Sequence, residues 1–228
     1  MILKNNPLLE ISQNEIFYMS KFVVTENLNP HAKAFSNTFQ KDIDAVYQEE
    51  MALLKNSKIF IFKNELDQLV GTIRVLKWDF ISTLPIQKSY GVNPFLCIEG
   101  EAINDIWHIG RFAIKKGIRD TNLLKKLLVC AIAPVCAHKD NIAFAEIDAE
   151  MLRVVRLLGI KAKTVGKSRA YLGCETIPVS MSYHGLIDFY NENKHMVSTQ
   201  KTIVLSGENY KLPNKVVFST DTLNYTLV

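Results

Sequence analysis

The stretch from residue 105 to residue 147 constrains the fold more than any other part of the chain. Residues 105–114, DIWHIGRFAI, are dense in branched and aromatic side chains, which suit a pleated, buried strand. KKGIRDT follows, a basic turn around Gly117, and then LLKKLLVCAIAPVC, an apolar helix over 122–136 that ends or kinks near Pro134. Residues 142–147, IAFAEI, form a second buried strand. Strand, helix and strand in that order call for a parallel pair joined by a crossover.

The flanking segments complete the outline. Apolar residues at helical spacing (Ile11, Phe17, Phe22) predict a helix over 8–24, and Ile43, Val46, Tyr47 and Leu54 predict another over 42–54. Between them residues 25–41 are polar and contain Asn29-Pro30, a loop or a short broken helix. SKIFIFKNELDQLVGTIRVLKWD reads as a hairpin with strands over 59–62 and 69–76. Residues 80–96 read as a loop with a short helix, and 150–158 as a helix closed by Gly159. Strands are expected over 162–165 and 169–174, a continuation of the sheet over 180–183, a helix over 185–193 and a β-rich tail after it. The expectation is an α+β (α/β/α) domain, a mixed sheet with helices on both faces. It spans 1–193, with residues 194–228 as an extension packed on the same domain.

Composition removes several classes. Hydrophobic residues make up 48% of the chain, with 12 Phe and 8 Tyr, enough for a packed core. The longest apolar run, 127–137, is far short of the roughly 20 residues that span a bilayer. With Pro7 and Glu10 in the N-terminal apolar stretch and no small-residue cleavage site, a cytoplasmic protein is expected. The four cysteines have no CxxC spacing and read as buried thiols, and the five histidines show no HxxxH or HExxH pattern, so no metal is expected. A net charge of +4, with the basic residues gathered on one turn and helix without aromatic partners, does not favour nucleic acid.

Two features carry chemistry. Lys115, Lys116, Gly117 and Arg119 precede a helix start at Asn122, where free N–H groups and positive partial charge suit phosphate. A solvated basic turn reads the same way. Arg74 and Arg111 lie inside apolar strands, VGTIRVL and IGRFAI, where an unpaired charge is costly. Each needs a carboxylate, with Asp42, Asp44 and Glu101 as candidates, or a ligand. Trp107, Phe112 and Phe144 are expected in the core.

His108-Ile109-Gly110-Arg111-Phe112, Gly71 with Arg74, Asp42 and Asp44, the helix 150–158 running into Gly159-Ile160, and YLGCETIPV over 171–179 together resemble the GNAT superfamily. Within it they resemble the acyl-homoserine-lactone (autoinducer) synthases and long-chain N-acyl amino acid synthases, over about residues 15–190. The resemblance implies a mostly antiparallel mixed sheet whose central parallel strand pair splays to admit a pantetheine arm. It implies an N-acyltransferase taking an acyl group, long-chain by preference, from acyl carrier protein or acyl-CoA to a small amine such as an amino acid. Acyl-CoA or acyl-phosphopantetheine would be a co-substrate, with no tightly bound cofactor.

His108, Arg111 and Arg74 would be the catalytic residues. Phe112, Ala113, Ile114, Lys115, Lys116, Gly117, Arg119 and Asn122 would hold the donor, with backbone N–H groups near 112–114 at the oxyanion. Lys125 and Lys126 extend the basic cluster toward an acidic carrier protein. The families usually carry glutamate where this chain has His108, which is then either a base near its working pH or a structural histidine. A generic acetyl-CoA-dependent N-acetyltransferase and a non-catalytic acyl-thioester-binding homologue are the alternatives.

Overall fold

A computed structural model describes residues 8–27, 38–98, 102–171, 174–198 and 203–204. In chain order the elements begin with β1 (Leu8–Glu10), α1 (Ile16–Asn27), α2 (Phe39–Leu53), β2 (Ser57–Lys63) and β3 (Leu69–Lys77). Then come α3 (Pro85–Tyr90), β4 (Ile106–Ile114), α4 (Thr121–Ile132), β5 (Ile142–Asp148) and α5 (Ala149–Leu157). The remainder are β6 (Lys163–Thr164), β7 (Arg169–Tyr171), β8 (Cys174–Ser182), α6 (Tyr183–Asn193), α7 (His195–Ser198) and β9 (Ile203–Val204).

The strands form one mixed sheet in the order β6-β8-β5-β4-β3-β2-β1-β9, with β7 paired to β8. β4 and β5 are parallel, as are β1 and β9, and the other pairings are antiparallel. One face packs on α4, α5 and α6 through the largest core cluster, which includes Phe60, Ile73, Ile109, Leu127, Ala143, Met181 and Phe189. The other face meets α1 through Ile16, Met19, Ile59, Ile61 and Ala113, and meets α3 through Leu76, Leu84, Ile86 and Phe144.

Local chemistry explains the boundaries. Asp120 and Asp148 start α4 and α5 as N-caps, each carboxylate accepting backbone N–H groups of the first turn. α4 stops at Ile132, just ahead of Pro134, because proline cannot continue the ladder. Gly159, at φ 86°, takes the left-handed conformation that ends α5.

Several expectations change. Residues 8–10 are a strand on the edge of β2, and the first helix begins only at Ile16. The two segments expected around 174 and 180 are a single strand, β8, that runs through Pro178. Pro178 is tolerated because its carbonyl still accepts from Val165 while its own missing N–H falls outside that bond. Of the expected tail, β9 pairs with β1, and residues 199–202 and 205–228 lie outside the described residues, as do Asn29, Pro30 and Glu101.

Candidate active site

The parallel pair is zipped for only part of its length. β4 and β5 pair from Ile106↔Ile142 to Ile109↔Ala145 and no further. Beyond that point β5 stays with β8 (Glu146↔Pro178, Ile147↔Ile177, Asp148↔Thr176), and β4 stays with β3 (Gly110↔Arg74, Ala113↔Thr72, Ile114↔Gly71). Each strand follows its outer neighbour, and a slot opens between them.

A bulge sits where the slot begins. Three residues of β3, from Arg74 to Thr72, face four of β4, from Gly110 to Ala113, so β4 carries one extra residue. Arg111 absorbs it at φ 54°, a conformation rare for a non-glycine residue and one met at functional sites. Gly110 is required by a close approach: a Cβ there would lie 2.9 Å from Arg74 Nη2.

The slot is a cleft of about 150 Å³ that passes through the sheet. On the helical side its lining is apolar, from Ile109, Ala145, Leu128, Ile132, Val155 and Ile160. On the opposite side it is polar, from Asn27, Glu49, Arg74, His108, Arg111, Glu146 and Tyr171.

The polar side is a connected ion network. Arg74 Nη1 donates to Glu50 Oε1 at 2.7 Å, and Arg111 Nε donates to the same oxygen at 2.7 Å. Arg111 Nη2 donates to Glu49, and its Nη1 donates to the Tyr171 hydroxyl oxygen at 3.1 Å. Arg74 Nη2 reaches His108 Nδ1 at 2.9 Å, and His108 Nε2 reaches Glu146 Oε1 at 3.1 Å. A guanidinium has only donors, so His108 Nδ1 holds a lone pair there and Nε2 carries the proton. His108 is therefore neutral in this arrangement and donates to Glu146.

The side chains of Arg74, His108 and Glu50 are at most 1% exposed, while Glu146 keeps 17% and Glu49 24%. Burial alone would raise the pKa of Glu50, but Arg74 and Arg111 outweigh it and hold the carboxyl below its ordinary value. Burial would likewise raise Glu146. It is overcome by His108, through its charge when protonated and through its hydrogen bond, and then by Arg74 and Arg111. Burial would lower Arg111, yet Glu50, Tyr171 and Glu49 raise it above the ordinary guanidinium value. Two guanidiniums thus face three carboxylates, leaving the cleft floor negative by one charge while His108 is neutral.

The expected site residues divide. His108, Arg74, Arg111 and Phe112 line the cleft together. Ala113 is buried against α1 and Ile114 packs on the main core, both where β4 runs beside β3. Lys115, Lys116, Gly117, Arg119 and Asn122 form the turn and first helical turn beyond it, outside the cleft lining. Asp120 already accepts the N–H groups of Asn122 and Leu123, and Glu26 accepts that of Lys116 at 2.7 Å.

The partners of the arginines differ from those expected. They are Glu49 and Glu50, not Asp42 or Asp44: Asp42 lies in the first turn of α2 and Asp44 accepts from Gln40 one turn before. The α2 face that carries the acids is the one turned to the sheet, and Glu49 and Glu50 lie two turns further along it. Sequence reading also missed Glu146, the first residue of β5 past the zipped segment, and Tyr171. Phe144 is fully buried and Trp107 nearly so, as core residues. Cys130 and Cys136 are pushed up to about 12 by burial, which keeps both thiols protonated and unreactive.

No protein-family model matches the chain, and no curated protein does. Among solved structures, an N-acyl amino acid synthase from uncultured soil microbes, FeeM, superposes with a TM-score of 0.56 at 15% identity, covering 83% of this chain and 99% of that one. A CoA-dependent acyl-homoserine lactone synthase, BjaI, superposes at 0.54 with 15% identity, over 88% of this chain and 93% of that one. At such identity the likeness is one of architecture, and with the splayed β4–β5 pair it shows that this chain has a GNAT-like fold.

Proposed function

We propose that this protein is an N-acyltransferase that carries an acyl group from an acyl thioester to the amine of a small acceptor. The observation that carries the reading is the opening of β4 from β5 directly beside an ionised, partly exposed carboxylate, Glu146. A pantetheine arm is a narrow, hydrogen-bonding chain, and unpaired strand edges are what it needs to lie against. The similarity of fold to an N-acyl amino acid synthase and a CoA-dependent acyl-homoserine lactone synthase supports the same chemistry.

In this reading the donor's acyl chain lies on the apolar lining between α4 and α5. A dry cavity of about 150 Å³ holds a molecule the size of benzene. The enclosed part of this cleft therefore suits a segment of about six carbons, and a longer chain occupies the open part. Lys115, Lys116 and Arg119 offer charge to the pantetheine phosphate, and with Lys125 and Lys126 they face an acidic carrier protein or coenzyme A.

The acceptor enters on the polar side, where the negative floor attracts an ammonium group. After losing one proton to solvent, the amine attacks the thioester carbonyl and forms the C–N bond. Glu146 accepts the second proton from the now positive nitrogen, and the carbon–sulfur bond breaks. The hydrogen bond from His108 and the nearby Arg74 and Arg111 favour the ionised form of Glu146, which is able to accept. Arg111 donates to the Tyr171 oxygen, which leaves the Tyr171 O–H free to protonate the departing sulfur. His108 holds Glu146 in place, and positioning of the reactants supplies much of the rate.

The base is thus assigned to Glu146, with His108 its positioning residue. The experiment is to incubate the purified protein with octanoyl-CoA, or octanoyl carrier protein, and a panel of small amines, following thiol release and N-acyl product by mass spectrometry. Product with at least one amine supports the reading. Thiol release no faster than the uncatalysed rate from either donor with every amine overturns it.

A further inference from the structure

The walls of the cleft carry their charge unevenly. Among the described residues two guanidiniums line it, Arg74 and Arg111, and both are engaged. Arg74 donates to Glu50 and His108 and its side chain is 1% exposed. Arg111 donates to Glu50, Glu49 and Tyr171 and its side chain is 9% exposed. Neither presents the open fork that grips the carboxylate of a ligand.

The acids keep more in reserve. Glu49, Glu146 and Asp148 line the same cleft, and each engages one oxygen: with Arg111, with His108 and with the Met151 N–H. Their second oxygens have no hydrogen-bond partner among the described residues and, unlike Glu50 Oε2, are not buried. Asp148 therefore adds to the single negative charge left on the floor, and the first turn of α5 offsets only part of it. An attacking amine is neutral, having lost its proton, and leaves that charge unanswered. An amino acid, the acceptor implied by the family resemblance, would add a carboxylate to it. A second ammonium on the acceptor answers it. Glu146 stands on the β5 wall, and Glu49 is held to the β4 wall by Arg111, so a molecule that bridges the slot meets both.

We propose that the acceptor is an aliphatic diamine, one amine attacking beside Glu146 while the other remains an ammonium group held by Glu49. This rests on the N-acyltransferase reading and adds the class of the acceptor to it. As before, the C–N bond forms, the C–S bond breaks and the sulfur takes a proton. The product is an N-acyl diamine that keeps one positive charge.

The test compares 1,4-diaminobutane with n-pentylamine and 5-aminopentanoate, which put a methyl group or a carboxylate where the second ammonium stands. Octanoyl-CoA or octanoyl carrier protein is the donor, and N-acyl product is read by mass spectrometry. The proposal expects kcat/KM for the diamine to exceed that for either comparator by about tenfold or more. Glu49→Gln keeps an acceptor for Arg111 and should narrow the ratio of diamine to pentylamine by about tenfold, through the KM for the diamine. Either comparator used as well as the diamine, or a ratio that Glu49→Gln leaves in place, overturns the proposal while the acyltransferase reading stands. No product from any amine with either donor overturns that reading, and the diamine assignment falls with it. The comparison of amines on the wild type decides the matter even if Glu49→Gln fails to fold.

Discussion

In the proposed reaction Glu146 is the base, and its surroundings make two demands that can be measured. As the base it should be indispensable to turnover, whereas His108 acts only through it. Glu146→Gln keeps the shape and a hydrogen bond to His108 but cannot accept a proton. It should lower kcat by about 100- to 10,000-fold with little change in the KM for the thioester. His108→Gln should cost less, and a larger loss in His108→Gln than in Glu146→Gln would reverse the assignment of base and positioning residue.

The second demand concerns stability. The carboxyls of Glu50 and Glu146 are held below their ordinary value of 4.5 in the folded protein. Their ionised forms therefore stabilise the fold fully above that pH, and the contribution is lost as pH falls through the lowered folded values. Urea unfolding between pH 6 and pH 3 should show this loss in the wild type, and a shallower decline in Glu50→Gln. At neutral pH the same variant should be less stable by about 3–5 kcal/mol, because two buried guanidiniums lose a shared partner. Parallel pH profiles would contradict the account.

At the scale of elements, what the sequence displays and what it hides have physical causes. The strand–helix–strand unit was legible because β4, α4 and β5 are buried on both sides and so carry long apolar runs. Arg74 and Arg111 stood out against those runs as charges in need of partners. The partners did not stand out: Glu49 and Glu50 sit on an amphipathic helix, where acids read as a solvated face until α2 is docked on the sheet. Glu146 sits inside an ordinary-looking strand, and only the splay gives it exposure.

β8 runs unbroken across the two segments read separately, and Pro178 is tolerated within it because its position beside the two-residue β6 makes the missing donor harmless. Two element-scale substitutions follow. Asp120→Ala removes the cap of α4 and should destabilise by about 1 kcal/mol in urea unfolding, since its carboxylate serves two N–H groups. Gly185→Ala should cost more, because its Cβ would stand 2.7 Å from Lys161 O, a backbone atom that the Lys161 N–H bond to Gly185 O keeps in place. A Gly185→Ala variant as stable as the wild type would show that this junction of α6 can give way.

For the molecule as a whole, the sheet works as a spine with a deliberate gap. Outer strands hold β4 and β5 apart, α2 brings acids to one mouth of the gap, and α4 and α5 line the other with hydrocarbon. Among the described residues no helix is long and apolar enough to cross a membrane. The class of architecture and the splay were foreseeable from the order of elements and the family resemblance. Which carboxylate borders the gap was not, because it depends on where the pairing of β4 with β5 stops.

The most direct check is whether a thioester occupies the gap. Calorimetric titration of octanoyl-CoA should show saturable binding to the wild type, stronger than that of acetyl-CoA. Ile147 lines the cleft and is only partly buried at the edge of the main core, so Ile147→Trp can fill the slot. That variant should keep its unfolding midpoint and bind octanoyl-CoA about tenfold or more weakly. Equal affinity in wild type and Ile147→Trp, or no binding to the wild type, would contradict the claim that the parted strands are a thioester site.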